Sequence, residues 1–308
     1  MAILNGIASK LKGSAGSLTF RRTGGRTVVS EKVTEVKITR TNAQMQTRTR
    51  WGNIIAMYKG IRPLLNYGFE NKPKTLSDYN MFVKLNMQRT PIYLTKQAVA
   101  GGACIATAYQ ISQGSLPAIV VTGTGQNGVT DIRLGGESIT TNTTVAEFSQ
   151  AVVENNADYK YGDQISFFLV KQKVNENTLI PYCQFSAAKV ILDAANTNQL
   201  VDEVSGSHGF ASIDGKLGHS GNDGDCAYTW VHTRKSDGKT LVSSQELLSA
   251  NSKEAEYKGD AAYNLSKSSY GASIESFLVP DGNATGGTTS GGDNNGGGGN
   301  GGGGNDTL

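Results

Sequence analysis

Apolar residues recur at two different intervals along this chain, and the change of interval limits the folds open to it. Between residues 41 and 65 they stand three and four apart, at Trp51, Ile54, Ile55, Tyr58, Ile61 and Leu65, which places them on one helix face. Thr41 followed three residues on by Gln44 is the reciprocal capping pattern of a helix start. Pro63 lacks an amide hydrogen and clashes with the preceding turn, so it predicts a stop or kink. Ser77-Asp78 caps a second, shorter helix with Tyr79, Phe82 and Val83 inward. From Ile92 onward the interval falls mostly to two, the period of strands.

The strand pattern predicts three hairpins. The first, 18–22 against 27–29, turns at Gly24-Gly25, whose backbones accept positive φ; an alternating strand at 33–38 follows it. The second pairs an apolar run at 116–121 with 129–134 across a turn cluster at 123–128. The third sets 228–235 against 240–243 around Asp237-Gly238, the strongest short-range hairpin signal. Further strands are expected at 164–171 and 188–192, and a helix at 143–155 capped by Thr143 or Thr144. From 286 to 308 the chain has 12 glycines in 23 residues, a segment with almost nothing to bury. The expected architecture is therefore α+β, mainly β. It comprises a basic N-terminal β-arm (1–40), a helical hairpin (41–90), a β-sandwich-like body (91–280) of one or two sub-domains, and a disordered Gly/Asn-rich tail (281–308).

Charge is divided along the chain. The first 100 residues hold 17 basic and 4 acidic side chains, a net +13, whereas the other 208 hold 12 and 22, a net −10. Such a division predicts that the first third faces something anionic, either nucleic acid or the acidic remainder of a neighbouring copy. No run approaches the ~20 apolar residues of a membrane span, so no membrane association is expected. Residues 1–13 place their lysines after a short apolar stretch, the reverse of an export signal. Cys104, Cys183 and Cys226, odd in number and widely spaced, indicate no disulfide framework and fit a reducing cytoplasm.

Several motifs fail on their context. Gly123-Thr124-Gly125-Gln126-Asn127-Gly128 matches G-x-G-x-x-G, yet an alternating strand follows it where a dinucleotide site needs a helix N-terminus. No glycine loop ends in Gly-Lys-Ser/Thr, and no serine is framed as G-x-S-x-G. His208, His219, Cys226 and His232, with Asp223 and Asp225, crowd one stretch but lack the paired short spacings of metal ligands. No cofactor, metal or catalytic residue is therefore assigned, and the chain is not expected to be an enzyme.

The series Gly13-Ser14-Ala15-Gly16-Ser17-Leu18-Thr19-Phe20, then Gly24-Gly25-Arg26-Thr27-Val28-Val29 and Thr41-Asn42-Ala43-Gln44 ahead of the Trp51 helix, resembles small phage and prophage proteins. Those proteins share a glycine-rich opening and a basic hairpin and have no known enzymatic activity. Tyr161-Gly162-Asp163-Gln164-Ile165-Ser166-Phe167-Phe168 and Trp230-Val231-His232-Thr233-Arg234-Lys235 resemble an uncharacterised family common in Bacteroidetes and in crAss-like phages. The resemblance spans roughly residues 10–275. It implies a virion structural protein of the neck, tail or capsid, found in the virion and, during assembly, in the host cytoplasm. Its partners would be copies of itself and portal, tail or capsid proteins, with DNA contact through the arm as a further expectation. A nucleic-acid-binding protein and a bacterial surface or adhesion β-sandwich are the alternatives. Arg21, Arg22, Arg26, Arg48 and Trp51 are the expected interface anchors, because arginine and tryptophan dominate interface hot spots.

Overall fold

The computed structural model describes residues 2–4, 11–23, 26–33, 42–64, 68–70, 72–73, 75–123 and 127–271. The expected tail, most of the strand at 33–38, the Gly24-Gly25 turn and Leu65 lie outside the described residues. The fold is α+β, mainly β, with several sheets.

Strands β1 (Ala2–Leu4), β2 (Gly13–Ala15), β3 (Leu18–Thr23) and β4 (Arg26–Glu31) form an antiparallel sheet in the order β1-β4-β3-β2. The helical hairpin follows as α1 (Asn42–Ile61) and α2 (Asp78–Asn86). Helix α1 ends two residues before Pro63, and Ser77 Oγ accepts the Asn80 amide at the start of α2. After the short helix α3 (Lys96–Ala100), an extended segment runs through 103–109 into β5 (Gln110–Ser112).

Strand β6 is only Val121–Thr122, and it pairs with β7 (Val129–Arg133). The expected strand at 116–121 is thus a correction: residues 117–120 form no ladder. Pro117 has no amide to donate, and the Val120 amide goes instead to Asp131 Oδ1 at 3.1 Å. Helix α4 (Val145–Asn155) starts with the full capping box of Thr144 and Glu147.

A long hairpin then supplies the centre of the molecule. Strand β8 (Gln164–Val174) pairs along its whole length with β9 (Pro181–Ile191), which extends well beyond the expected 188–192. After α5 (Leu200–Glu203) come β10 (Ala211–Ile213), β11 (Lys216–Gly218), β12 (Cys226–Ser236), β13 (Lys239–Val242), β14 (Gln245–Glu246) and β15 (Leu248–Ala250). Helices α6 (Lys253–Glu256) and α7 (Gly259–Gly271) close the described chain. Asp237 and Gly238 both take positive φ, 50° and 73°, as a two-residue turn between β12 and β13 requires.

Period two explains how the central sheet, β13-β12-β8-β9 with β15 on β12, is buried on both faces. Ile165, Phe167, Leu169, Tyr228 and Trp230 point to one side, where they meet Phe148 and Val152 of α4 and Ile132 and Leu217 of the second sheet, β10-β11-β7-β6. Phe168, Val170, Ala227 and Val231 point to the other, where they meet Ile54, Met57 and Ile61 of α1, Phe82 of α2, and Tyr109. The helical hairpin therefore shares a core with the β-rich body.

Candidate functional site

Cross-strand partners in an antiparallel sheet share a face, so the register of the N-terminal sheet sorts its side chains. The pairs Ala15↔Leu18, Leu18↔Glu31, Phe20↔Val29 and Arg22↔Thr27 define one face, which is largely apolar. The pairs Thr19↔Ser30, Arg21↔Val28 and Thr23↔Arg26 define the other, polar and basic. Arg21 and Arg26 thus lie together, with Arg22 opposite them, and all three are exposed. Leu18 is 44% exposed, while Phe20 and Val29 are half-buried. Thr27, on the same face, is fully buried, and among the described residues none of the three hydrophobic clusters draws a side chain from β2, β3 or β4.

Arg48 and Trp51 sit on α1, both half-buried. Trp51 meets Tyr79 edge-on, ring centroids 6.5 Å apart at 78°, and opens an aromatic row through Tyr58 and Phe82 to Tyr109.

The body brings histidines and carboxylates together in two places. Asp163 accepts from Arg234 Nε and Nη2, both at 2.7 Å, and from the Lys160 amide at 2.9 Å; His232 Nε2 lies 2.9 Å away. Burial pushes this carboxyl upward, but the hydrogen bonds from Arg234 and His232 outweigh it and hold the pKa near about 2. In the second place, Asp223 meets Lys171 Nζ through Oδ1 at 2.5 Å, and His219 Nε2 and His208 Nδ1 through Oδ2 at 2.7 and 3.5 Å. Burial pushes Asp223 up as well, yet Lys171 and His219 leave it below the usual carboxylate range.

Of the donors that sequence spacing set aside, His208, His219 and Asp223 come together, their ligand atoms all within 4.8 Å of one another. Cys226 lies in the core of β12, and His232 serves Asp163. The G-x-G-x-x-G segment opens no helix: β7 follows it, and the Gly128 carbonyl accepts the His219 amide at 2.9 Å. No helix among the described residues is long and apolar enough to cross a membrane. No protein-family model, curated protein or solved structure matches the chain.

Proposed function

We propose that the protein is a structural subunit that assembles with copies of itself through its N-terminal sheet, in the setting of a virion neck, tail or capsid. The observation that carries this reading is the exposure of Leu18, Arg21, Arg22 and Arg26 on the four-stranded sheet, whose described side chains enter none of the hydrophobic clusters. Its strands pair with one another, and its apolar face is covered at Thr27, which is fully buried, while Leu18 on the same face is 44% exposed. Residues 11–33 carry five basic side chains and one acidic.

The occupant is a second copy, because charge complementarity points there. The chain beyond residue 100 is net −10, with Glu137, Glu154, Asp158, Asp193, Asp202 and Glu203 exposed. A basic sheet on one copy meeting an acidic body on the next is a heterologous contact, which builds rings or filaments. The setting rests on the resemblance to phage proteins in the glycine-rich opening and basic hairpin. DNA is the second reading, favoured by Arg21 and Arg26 sharing the polar face as they would on a β-ribbon.

Reversing Arg21, Arg22 and Arg26 to Glu tests the proposal, since exposed side chains leave the fold intact. Light scattering should show the wild type larger than the 32.5 kDa chain and the variant reduced to it. An unchanged mass would refute the proposal. An unchanged mass with loss of salt-sensitive DNA binding would move the arm to nucleic acid.

A further inference from the structure

We propose that His208, His219 and Asp223 form a site for one divalent transition-metal ion of the zinc type. Two imidazole nitrogens converge on a single carboxylate oxygen, Asp223 Oδ2, at 2.7 and 3.5 Å. A zinc-type ion binds nitrogen and oxygen at roughly 2.0–2.2 Å, so its tetrahedral ligand atoms stand roughly 3.3 Å apart. The observed separations straddle that value. Histidine nitrogens with one carboxylate oxygen are the borderline donors that suit zinc, cobalt or nickel over calcium or magnesium.

Contacts away from the ion orient Asp223 and the His219 ring, as the outer shell of a metal centre does. Lys171 engages the other Asp223 oxygen and leaves Oδ2 directed at the histidines. The His219 ring stacks on both Phe167 and Tyr228, at centroid distances of 5.5 and 4.5 Å. Both histidine backbones are pinned: the His219 amide donates to the Gly128 carbonyl, and the His208 carbonyl accepts the Ser220 amide. Gly221 makes room, because a Cβ there would stand 2.1 Å from His208 Nδ1. His219 and Asp223 are buried whereas the His208 side chain is 53% exposed, so an ion has an entry path and an outer coordination position open to water. An ion here would clamp the loop after β11 to the loop before β10, independently of how the arm is used.

The test uses the full chain, without a histidine tag and stripped with chelator, titrated calorimetrically with zinc chloride, with cobalt chloride as a spectroscopic probe. Expected are one zinc per chain, the visible bands of four-coordinate cobalt, and a raised melting temperature with zinc. His208→Ala, at an exposed position that keeps the chain folded, should weaken zinc binding at least tenfold and abolish the thermal shift; Asp223→Asn should do the same. The proposal is overturned by absence of one-to-one zinc binding to the wild type, or by His208→Ala binding zinc as tightly as the wild type.

Discussion

Asp163 and Asn53 show how single polar residues set the interior of this protein. Asp163 is 2% exposed and held by a guanidinium, an imidazole and an amide. Its folded pKa, near about 2, lies below the ordinary 3.8, so its contribution is present above pH 4 and is lost as pH falls toward 2. A depression of that size corresponds to about 2 kcal/mol at neutral pH. Denaturant titrations at stepped pH should therefore show stability dropping between pH 4 and 2, with a shallower drop in Asp163→Asn. Equal slopes in the two proteins would show that the carboxylate is not the titrating group. Asn53 acts differently, by imitating a strand. Its Oδ1 accepts the Ile105 amide at 2.7 Å and its Nδ2 donates to the Ile105 carbonyl at 3.1 Å, so α1 holds the extended segment at 103–109. Asn53→Ala orphans two buried backbone groups and should cost about 2–4 kcal/mol in urea denaturation. A loss below about 0.5 kcal/mol would mean that the segment finds other partners.

Among the elements, close approach often decides what the sequence must be. Helix α1 lies so near β9 that a Cβ at Gly60 would fall 2.0 Å from the Phe185 ring. Gly60→Ala would improve helix propensity by about 1 kcal/mol, but overpacking costs about 1–3 kcal/mol. The variant should be destabilised, and a raised melting temperature would contradict the packing described. Elements with local signals were legible in the sequence: the caps of α2 and α4, the Pro63 stop, and the Asp237-Gly238 turn. The β8–β9 hairpin was read only in part, because its turn contains no glycine. Asn175 Oδ1 instead accepts the Asn177 and Thr178 amides, and Leu179 takes a φ of 56°. Helix α7 was missed because its buried contacts are made by serines: Ser266 Oγ bonds the Leu94 carbonyl and Ser269 Oγ accepts the Lys96 amide at 3.0 Å. Apolar periodicity cannot register such a face. The arginines of the arm were visible as charge, whereas the grouping of His208, His219 and Asp223 depends on how β11 docks beside β7, which no local spacing encodes.

At the scale of the whole molecule, two cores lie on opposite faces of one central sheet, and among the described residues β2, β3 and β4 contribute to neither. That separation is what links structure to the assembly proposed above. A surface contact between a +13 segment and a −10 segment is screened within about 10 Å at 0.1 M salt, so the association must weaken as ionic strength rises. Sedimentation velocity of the wild-type chain, from dilute to concentrated and from low to high salt, reads this directly. The account predicts species heavier than 32.5 kDa at low salt that grow with concentration and return to 32.5 kDa as salt increases. A single 32.5 kDa species at every concentration in low salt would contradict it.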